Sequence, residues 1–330
     1  MKCLRRPQTA RMAALFIAFC AAAVPAAAAA AAADYPARQV RVVVPFPPGG
    51  GADTISRVLF TKLSEDFGHQ FIIDNRGGAS GTIGAGLVAK ASNDGYVILH
   101  DATGHSINPA MFSSLPYNAA RDFAPVFLAG TVPNLLVMHT SIKAATVSEL
   151  ITLAKATKEG INWASSGTGS VQHMALELFK VSAGITLNHI PYKGGAPALI
   201  DVAGGHTKFY FSNAAASTGH VKAGTIRSIA HTGRGRLAAL PDIPPMADTL
   251  PGYEAYEWNG VFVPAHTPRA IIERLNAGLN AVIRTPAVIE RMASLSVQIR
   301  ANTPADFGAY VKSETEKWGK IVRGAGIKAE

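Results

Sequence analysis

The chain has 330 residues, 31 Lys and Arg against 22 Asp and Glu, and a formal net charge of +9 at pH 7. Four of the basic residues, Lys2, Arg5, Arg6 and Arg11, fall at the very start and the rest are scattered, which argues against a nucleic-acid-binding surface and suits modest attraction of anionic solutes. Beyond its first segment the chain keeps roughly 300 residues, more than one core normally serves, so two domains are expected.

In chain order, the basic residues precede an apolar run, Met12 to Val24, and an alanine tract ending before Asp34, the n-, h- and c-region order of a secretory signal. Cleavage is expected after Ala33, making residues 1–33 a signal peptide and the remainder an exported protein. A lipid-anchored start at Cys20 is the alternative, disfavoured by Phe19 where such signals carry a small residue. Both cysteines, Cys3 and Cys20, lie in this leader, so neither disulfides nor thiol chemistry are expected after it. No later run approaches the roughly 20 apolar residues a bilayer requires.

The next stretch, VPFPPGGGAD from Val44 to Asp53, is the most informative. A strand over Val40 to Phe46 runs into prolines, then three glycines, then a helix over residues 52–66 with Ile55, Val58, Leu59 and Leu63 on one face. Unpaired N–H groups at a helix start, together with the helix dipole, attract a carboxylate or phosphate without a charged side chain. Pro47 and Pro48 stiffen the approach and supply no N–H, so the donors are left to Gly49, Gly50, Gly51 and Ala52. The plainer alternative is a strand-to-helix turn that needs positive φ. Asp53 either favours the dipole or, in a cleft, accepts an ammonium or hydroxyl.

Alternation then continues: strand Phe71 to Asp74, a glycine-rich helix Gly81 to Ala91, strand Tyr96 to His100, and two apolar runs in Phe123 to His139 broken by Pro133, read as a crossing between domains. Thr146 and Glu149 form a capping box for a helix through Ala156. Strand Asn162 to Ser165, helix Val171 to Ala183, strand Leu187 to Ile190, helix Ala196 to Val202, and strands Lys208 to Phe211, Ile226 to His231 and Val261 to Val263 follow. Helices starting at Pro268, Pro286 and Pro304 are expected to return to the first domain, leaving two strands as the hinge. This is α/β architecture with mostly parallel sheets. The expected division places 34–131 with 260–330 in lobe 1 and 132–259 in lobe 2.

A second glycine-rich turn, SSGTGSVQH, again follows a strand and opens a helix. Ser165, Ser166, Gly167, Thr168, Gly169 and Ser170 supply N–H groups and hydroxyls that either meet carboxylate oxygens or cap the helix. Two such corners, one per half, suit an anion gripped from both sides of a cleft. A third post-strand turn, Asp101 to Phe112, offers Thr103 and His105 as a cleft wall; a hydrogen-bonded loop histidine is the alternative. Lys193 precedes a helix and is either a ligand cation or solvated, and Asn213, at a strand end, either contacts ligand or makes a turn. Neither a GxSxG elbow, an HExxH pair nor a GxxxxGK[ST] loop occurs, the ten histidines lack metal-ligand spacing, and GGASGTIGAG departs from dinucleotide-loop spacing. No cofactor, metal or catalysis is therefore expected.

VPFPPGGGAD, DNRGGASGTIGA, NPAMFSSLPY, SSGTGSVQH, HIPYKGGAPAL, LPDIPPMAD, PGYEAYEWNG and KWGKIVRGAGIK, in this order along essentially the whole chain after the leader, resemble the Bug family of extracytoplasmic solute receptors, the binding proteins of tripartite tricarboxylate transporters. The resemblance implies a type II periplasmic-binding-protein fold, two α/β lobes joined by two crossover strands around a ligand cleft, and a periplasmic location. It implies a small organic carboxylate as ligand and membrane permease subunits as partners, with no nucleic acid and a monomeric receptor. It places the ligand at Phe46, Gly49 to Asp53 and Ser165 to Gly169, with His173 at a common family position. Pro47, where relatives often carry alanine, and the HDATGHSINP loop depart from the usual pattern and leave the ligand open. An exported enzyme acting on a carboxylate and a sensor for a signalling partner are the alternatives.

Overall fold

The structure, a computed structural model, describes residues 35–324 and 327; the expected leader, with Cys3, Cys20 and the cleavage point after Ala33, lies outside them. The strands are β1 (Val40–Val44), β2 (Phe71–Asn75), β3 (Val97–Ala102), β4 (Phe123–Met138), β5 (Ile161–Ser165), β6 (Leu187–Pro191), β7 (Phe209–Asn213), β8 (Arg227–His231) and β9 (Tyr256–Pro264). They hydrogen-bond in the order β2-β1-β3-β9-β4-β7-β5-β6, with β8 also on β4. Parallel pairing holds the two wings, β1 with β2 and β3 in one lobe and β5 with β6 and β7 in the other. Parallel strands are covered on both faces, which is why VRVVV is apolar at every position but Arg41, the one residue of the strand that is not fully buried.

The wings meet at β4 and β9, antiparallel from Phe123 opposite Pro264 to Pro133 opposite Tyr256. From Asn134 onward β4 pairs instead with β7 and β8. The crossing segment is thus one strand rather than two runs broken at Pro133. Pro133, with no N–H to give, sits where the ladder changes partner, and Pro125 sits beside a register shift; both are places where strand prolines are tolerated.

The helices are α1 (Gly51–Phe67), α2 (Thr82–Ala89), α3 (Gly104–Met111), α4 (Val147–Ala156), α5 (Val171–Ala183), α6 (Gly195–Ala203), α7 (Ala214–Lys222), α8 (Arg269–Val282), α9 (Pro286–Ser294) and α10 (Pro304–Gly324). Local chemistry fixes their ends: Thr146 Oγ1 accepts from Glu149 N at the start of α4, Ser170 Oγ from His173 N at α5 and Asn213 Oδ1 from Ala215 N at α7, while Gly68 and Gly184 close α1 and α5 in the left-handed region. α3 falls in the segment Asp101 to Phe112, read from sequence as a post-strand turn, and it carries Pro109 inside it. It is helical because Ile107 and Met111, one turn apart, are buried with Trp318 and Val322 of α10 and with Val171 and Met174 of α5.

Each lobe has its own apolar centre. In the first, Val42, Val44, Ile55, Leu59 and Phe60 are fully buried between β1 and α1. In the second, Trp163 stacks on Phe209 with ring centroids 5.1 Å apart and is flanked by Phe179 and Phe211. After β9 the chain returns to the first lobe, where Phe307 of α10 packs against Phe262 and Trp258 at 4.9 and 5.8 Å.

Candidate functional site

Five helices begin at one cavity of about 50 Å³ between the lobes. α1 contributes Gly50, Gly51 and Ala52, α3 Thr103 and Gly104, α5 Ser170, Val171 and Gln172, α6 Gly195, and α7 Asn213 and Ala216. The first helical hydrogen bond of α1 runs from Thr54 N to Gly50 O at 2.9 Å, so the N–H groups of Gly51, Ala52 and Asp53 precede it and have no intrahelical acceptor. In α5 the first is Met174 N to Ser170 O, and His173 N is taken by Ser170 Oγ, leaving Val171 and Gln172. Each helix start carries about half a positive charge. None of the lining residues is Lys, Arg or His. The cavity is therefore electropositive through backbone alone, apart from one acid at its wall, Glu257.

A hydrogen-bonded chain sets the side-chain donors. Ser166 Oγ donates to Gln172 Oε1 at 2.9 Å and therefore accepts from Tyr210 Oη at 2.7 Å. With its oxygen so engaged, Gln172 turns its amide nitrogen to Asn134 Oδ1 at 3.0 Å and to Glu257 Oε2 at 2.5 Å. Burial pushes the Tyr210 hydroxyl far above its ordinary range, so it stays a donor.

Of the residues expected from sequence, Phe46, Gly50, Gly51, Ala52, Thr103, Ser166 and Asn213 line this cavity. Asp53 stands behind it: its carboxylate accepts from Arg57 Nε and Nη2, both at 2.9 Å, from Asn75 Nδ2 at 3.0 Å and from Gly49 N at 2.9 Å. Burial disfavours that charge, but Arg57, the Gly49 amide and Asn75 more than compensate and hold the carboxyl below its ordinary range. Asp53 braces the glycine turn, and the Gly49 N–H is spent on it.

His105 lies elsewhere. It is 1% exposed, its Nδ1 lies 3.1 Å from Asp101 Oδ2, and its ring stacks on Phe262 at 4.3 Å. The backbone of Gly104 faces the cleft, and the next side chain turns back into the aromatic core of the first lobe. Ser165 is also withdrawn: fully buried, its Oγ accepts from Gly167 N and pairs with His189 Nε2 at 2.5 Å. Gly169 gives its N–H to His173 Nδ1 at 3.2 Å.

Gly167, Thr168, His173 and Lys193 line an outer vestibule of about 620 Å³, which Phe46, Ser80 and Ser166 share with the inner cavity. There the rings of His173 and His189 stack 3.8 Å apart. Burial, and then the neighbouring His173, lower the His189 pKa from 6.5 to about 4. The unfolded chain consequently binds more protons between those values, so stability falls as the pH drops from about 6.5 towards about 4. His189→Gln is expected to reduce that slope in melting curves recorded across this range; superimposable curves would sink the assignment.

The lobes touch around the cavity. Ser80 Oγ donates to Thr168 O at 2.5 Å, and an ideal Cβ on Gly49 would sit 3.8 Å from Ala196 Cβ. Ser80 and Ala79 hold left-handed φ of 53° and 44°, strain that places the Ser80 hydroxyl at the lobe junction. Sequence reading missed Ser80, Gln172, Tyr210 and Glu257. A lone acid in a mostly apolar strand, Tyr256 to Pro264, was the signal available for Glu257.

Comparison with known proteins agrees with this geometry. The family model described as tripartite tricarboxylate transporter family receptor matches residues 55–327. Protein BugT of Bordetella pertussis is 33% identical over 89% of this chain and 91% of its own length. An R. palustris protein solved with adipate superimposes with a TM-score of 0.87 at 36% identity, covering 89% of this chain and 99% of the other. One from Rhodopseudomonas palustris solved with bound malate gives 0.82 at 28% identity, covering 87% and 100%. The chain therefore belongs to the tripartite tricarboxylate transporter receptor family, the Bug proteins, and is a solute receptor built on the type II periplasmic-binding-protein fold.

Proposed function

We propose that this receptor captures a small organic carboxylate in the periplasm and delivers it to the membrane subunits of a tripartite transporter. One observation carries the reading: five helix N-termini converge on a cavity that holds no basic side chain. Such a site binds an anion through backbone N–H groups. Relatives solved with adipate and malate supply the chemical class.

In this reading the lobes, 34–131 with 260–330 and 132–259, hinge about β4 and β9. A ligand that touches α1 and α3 on one side and α5 to α7 on the other favours the closed form because only that form offers both sets of donors. The reading is also non-catalytic. In the serine–histidine pair near the cleft, Ser165 with His189, the serine is fully buried behind the turn; His189 faces the vestibule, and neither residue lines the inner cavity.

The test is an equilibrium titration with aliphatic and aromatic mono-, di- and tricarboxylates and acidic amino acids, followed by tryptophan fluorescence. Trp258 is the expected reporter, since its backbone N–H donates to Oγ1 of the cavity residue Thr103 at 2.8 Å. A saturable change with at least one carboxylate is expected. A flat response to the whole panel would overturn the proposal, and chemical turnover of a bound acid would replace it with the enzyme reading.

A further inference from the structure

Among the residues lining the inner cavity, one side chain is a carboxylic acid, and it is not where an anion receptor would want it. Glu257 is 7% exposed. Among the described residues no Lys, Arg or His lies within ion-pairing distance of it. His100, fully buried on β3 beside Asn259, has its pKa lowered to about 4 by burial and so is uncharged at neutral pH. What surrounds the carboxyl is amide: Gln172, Asn213 and Asn259. Gln172 donates to Oε2 at 2.5 Å, and Asn213, 4% exposed and lining the same cavity, and Asn259 also turn their amides towards the carboxyl. The cavity thus has unused donors at the helix starts and one buried acid with no cation beside it, Glu257.

We infer that Glu257 is the specificity-determining residue of the cleft, selecting a carboxylate whose far end carries a hydrogen-bond donor, an ammonium or a hydroxyl, and rejecting a second carboxylate there. The inference rests on the carboxylate reading given above. The ligand carboxylate takes the helix N-termini, and its donor end meets Glu257 Oε1. A dicarboxylate of the same length would set two carboxyl groups against each other in a site with no cation to separate them, which forces protonation or expulsion of one. This is discrimination by a built-in repulsive element as much as by attraction. Gln172 supports the arrangement, because Ser166 fixes its oxygen and leaves its amide nitrogen facing the acid. Burial raises the Glu257 pKa above its ordinary value and outweighs the three amides, which favour the charged form; an incoming ammonium adds to their effect and draws the carboxyl into its charged form.

The experiment uses the leaderless full chain at pH 7 and calorimetric titration with two matched trios: 4-aminobutyrate, 4-hydroxybutyrate and succinate, then 6-aminohexanoate, 6-hydroxyhexanoate and adipate. In the wild type an amino or hydroxy member is expected to bind about tenfold or more tighter than the diacid of its own trio. Glu257→Gln keeps the shape and removes the charge, and is expected to erase or invert that ranking, with circular dichroism verifying the fold. A wild-type protein that binds succinate or adipate as tightly as both partners of the trio overturns the inference while leaving the carboxylate reading intact. So does a folded Glu257→Gln variant with the ranking unchanged. Absence of binding by all six overturns the inference, and the carboxylate reading falls with it only if the wider panel is silent too. The amino and hydroxy arms separate an ion-pairing ligand from a neutral donor.

Discussion

Gly51→Val is expected to abolish solute capture in a chain that still folds. Gly51 is the first residue of α1, and an ideal Cβ there would overlap Cγ, Nδ2 and Oδ1 of Asn213 in the opposite lobe. Asn213 cannot swing aside cheaply, since it is 4% exposed and its Oδ1 caps α7 through Ala215 N at 2.9 Å. Losing such a cap costs about 1 kcal/mol. The substituted branch also occupies the space in front of the Gly51 and Ala52 N–H groups. Affinity is expected to fall about 100-fold or more, roughly 2.7 kcal/mol. Small-angle scattering should show no compaction on adding ligand, whereas the melting point of the ligand-free protein should be near that of the wild type. Gly50→Ala is the control: its backbone is extended, with φ −76°, and an added Cβ finds nothing nearer than Pro47 O at 3.5 Å. If Gly51→Val binds as the wild type does, the ligand does not sit between these helix starts.

The second large effect concerns stability. Phe307→Ala is expected to cost about 3–5 kcal/mol, the range for emptying a fully buried aromatic site. Phe307 has no exposed surface, lies against Phe262 and Trp258, and fills the space that a side chain on Gly260 would need. It anchors the start of α10 to β9, one of the two strands shared by the lobes. A drop of roughly 10 °C in the melting point is expected. Gly260→Ala should destabilise by about 1–3 kcal/mol through the reverse fault, overpacking. Combined with Phe307→Ala it should cost less than the two added together, because the new methyl enters the vacated space. Strict additivity would show that these positions do not share a packing site.

What the sequence makes legible is the part governed by local rules. The glycine turn at 49–51, the Ser170 cap and the Thr146–Glu149 cap follow from backbone chemistry within a few residues, and each appears where spacing places it. The division of labour inside the cleft was not legible, because it depends on which neighbour a side chain meets. Asp53 looked like a ligand acceptor until Arg57 and Asn75 proved to use both its oxygens. His105 follows a cleft-facing glycine, yet its stacking on Phe262 comes from a strand more than 150 residues away. α3 was read as a turn; it is helical despite Pro109, whose cost is outweighed by burial of Ile107 and Met111 against α5 and α10. Pro133 obscured β4 because the change of ladder partner that excuses a proline is a tertiary fact.

The convergence of helix starts on a cavity without lysine or arginine has one further consequence. Fixed peptide dipoles inside a closed site are poorly reached by mobile ions, whereas exposed cations lose most of their pull within about 8 Å at physiological ionic strength. Affinity for a carboxylate is therefore expected to change little between low and physiological salt, which titrations at the two ionic strengths would show.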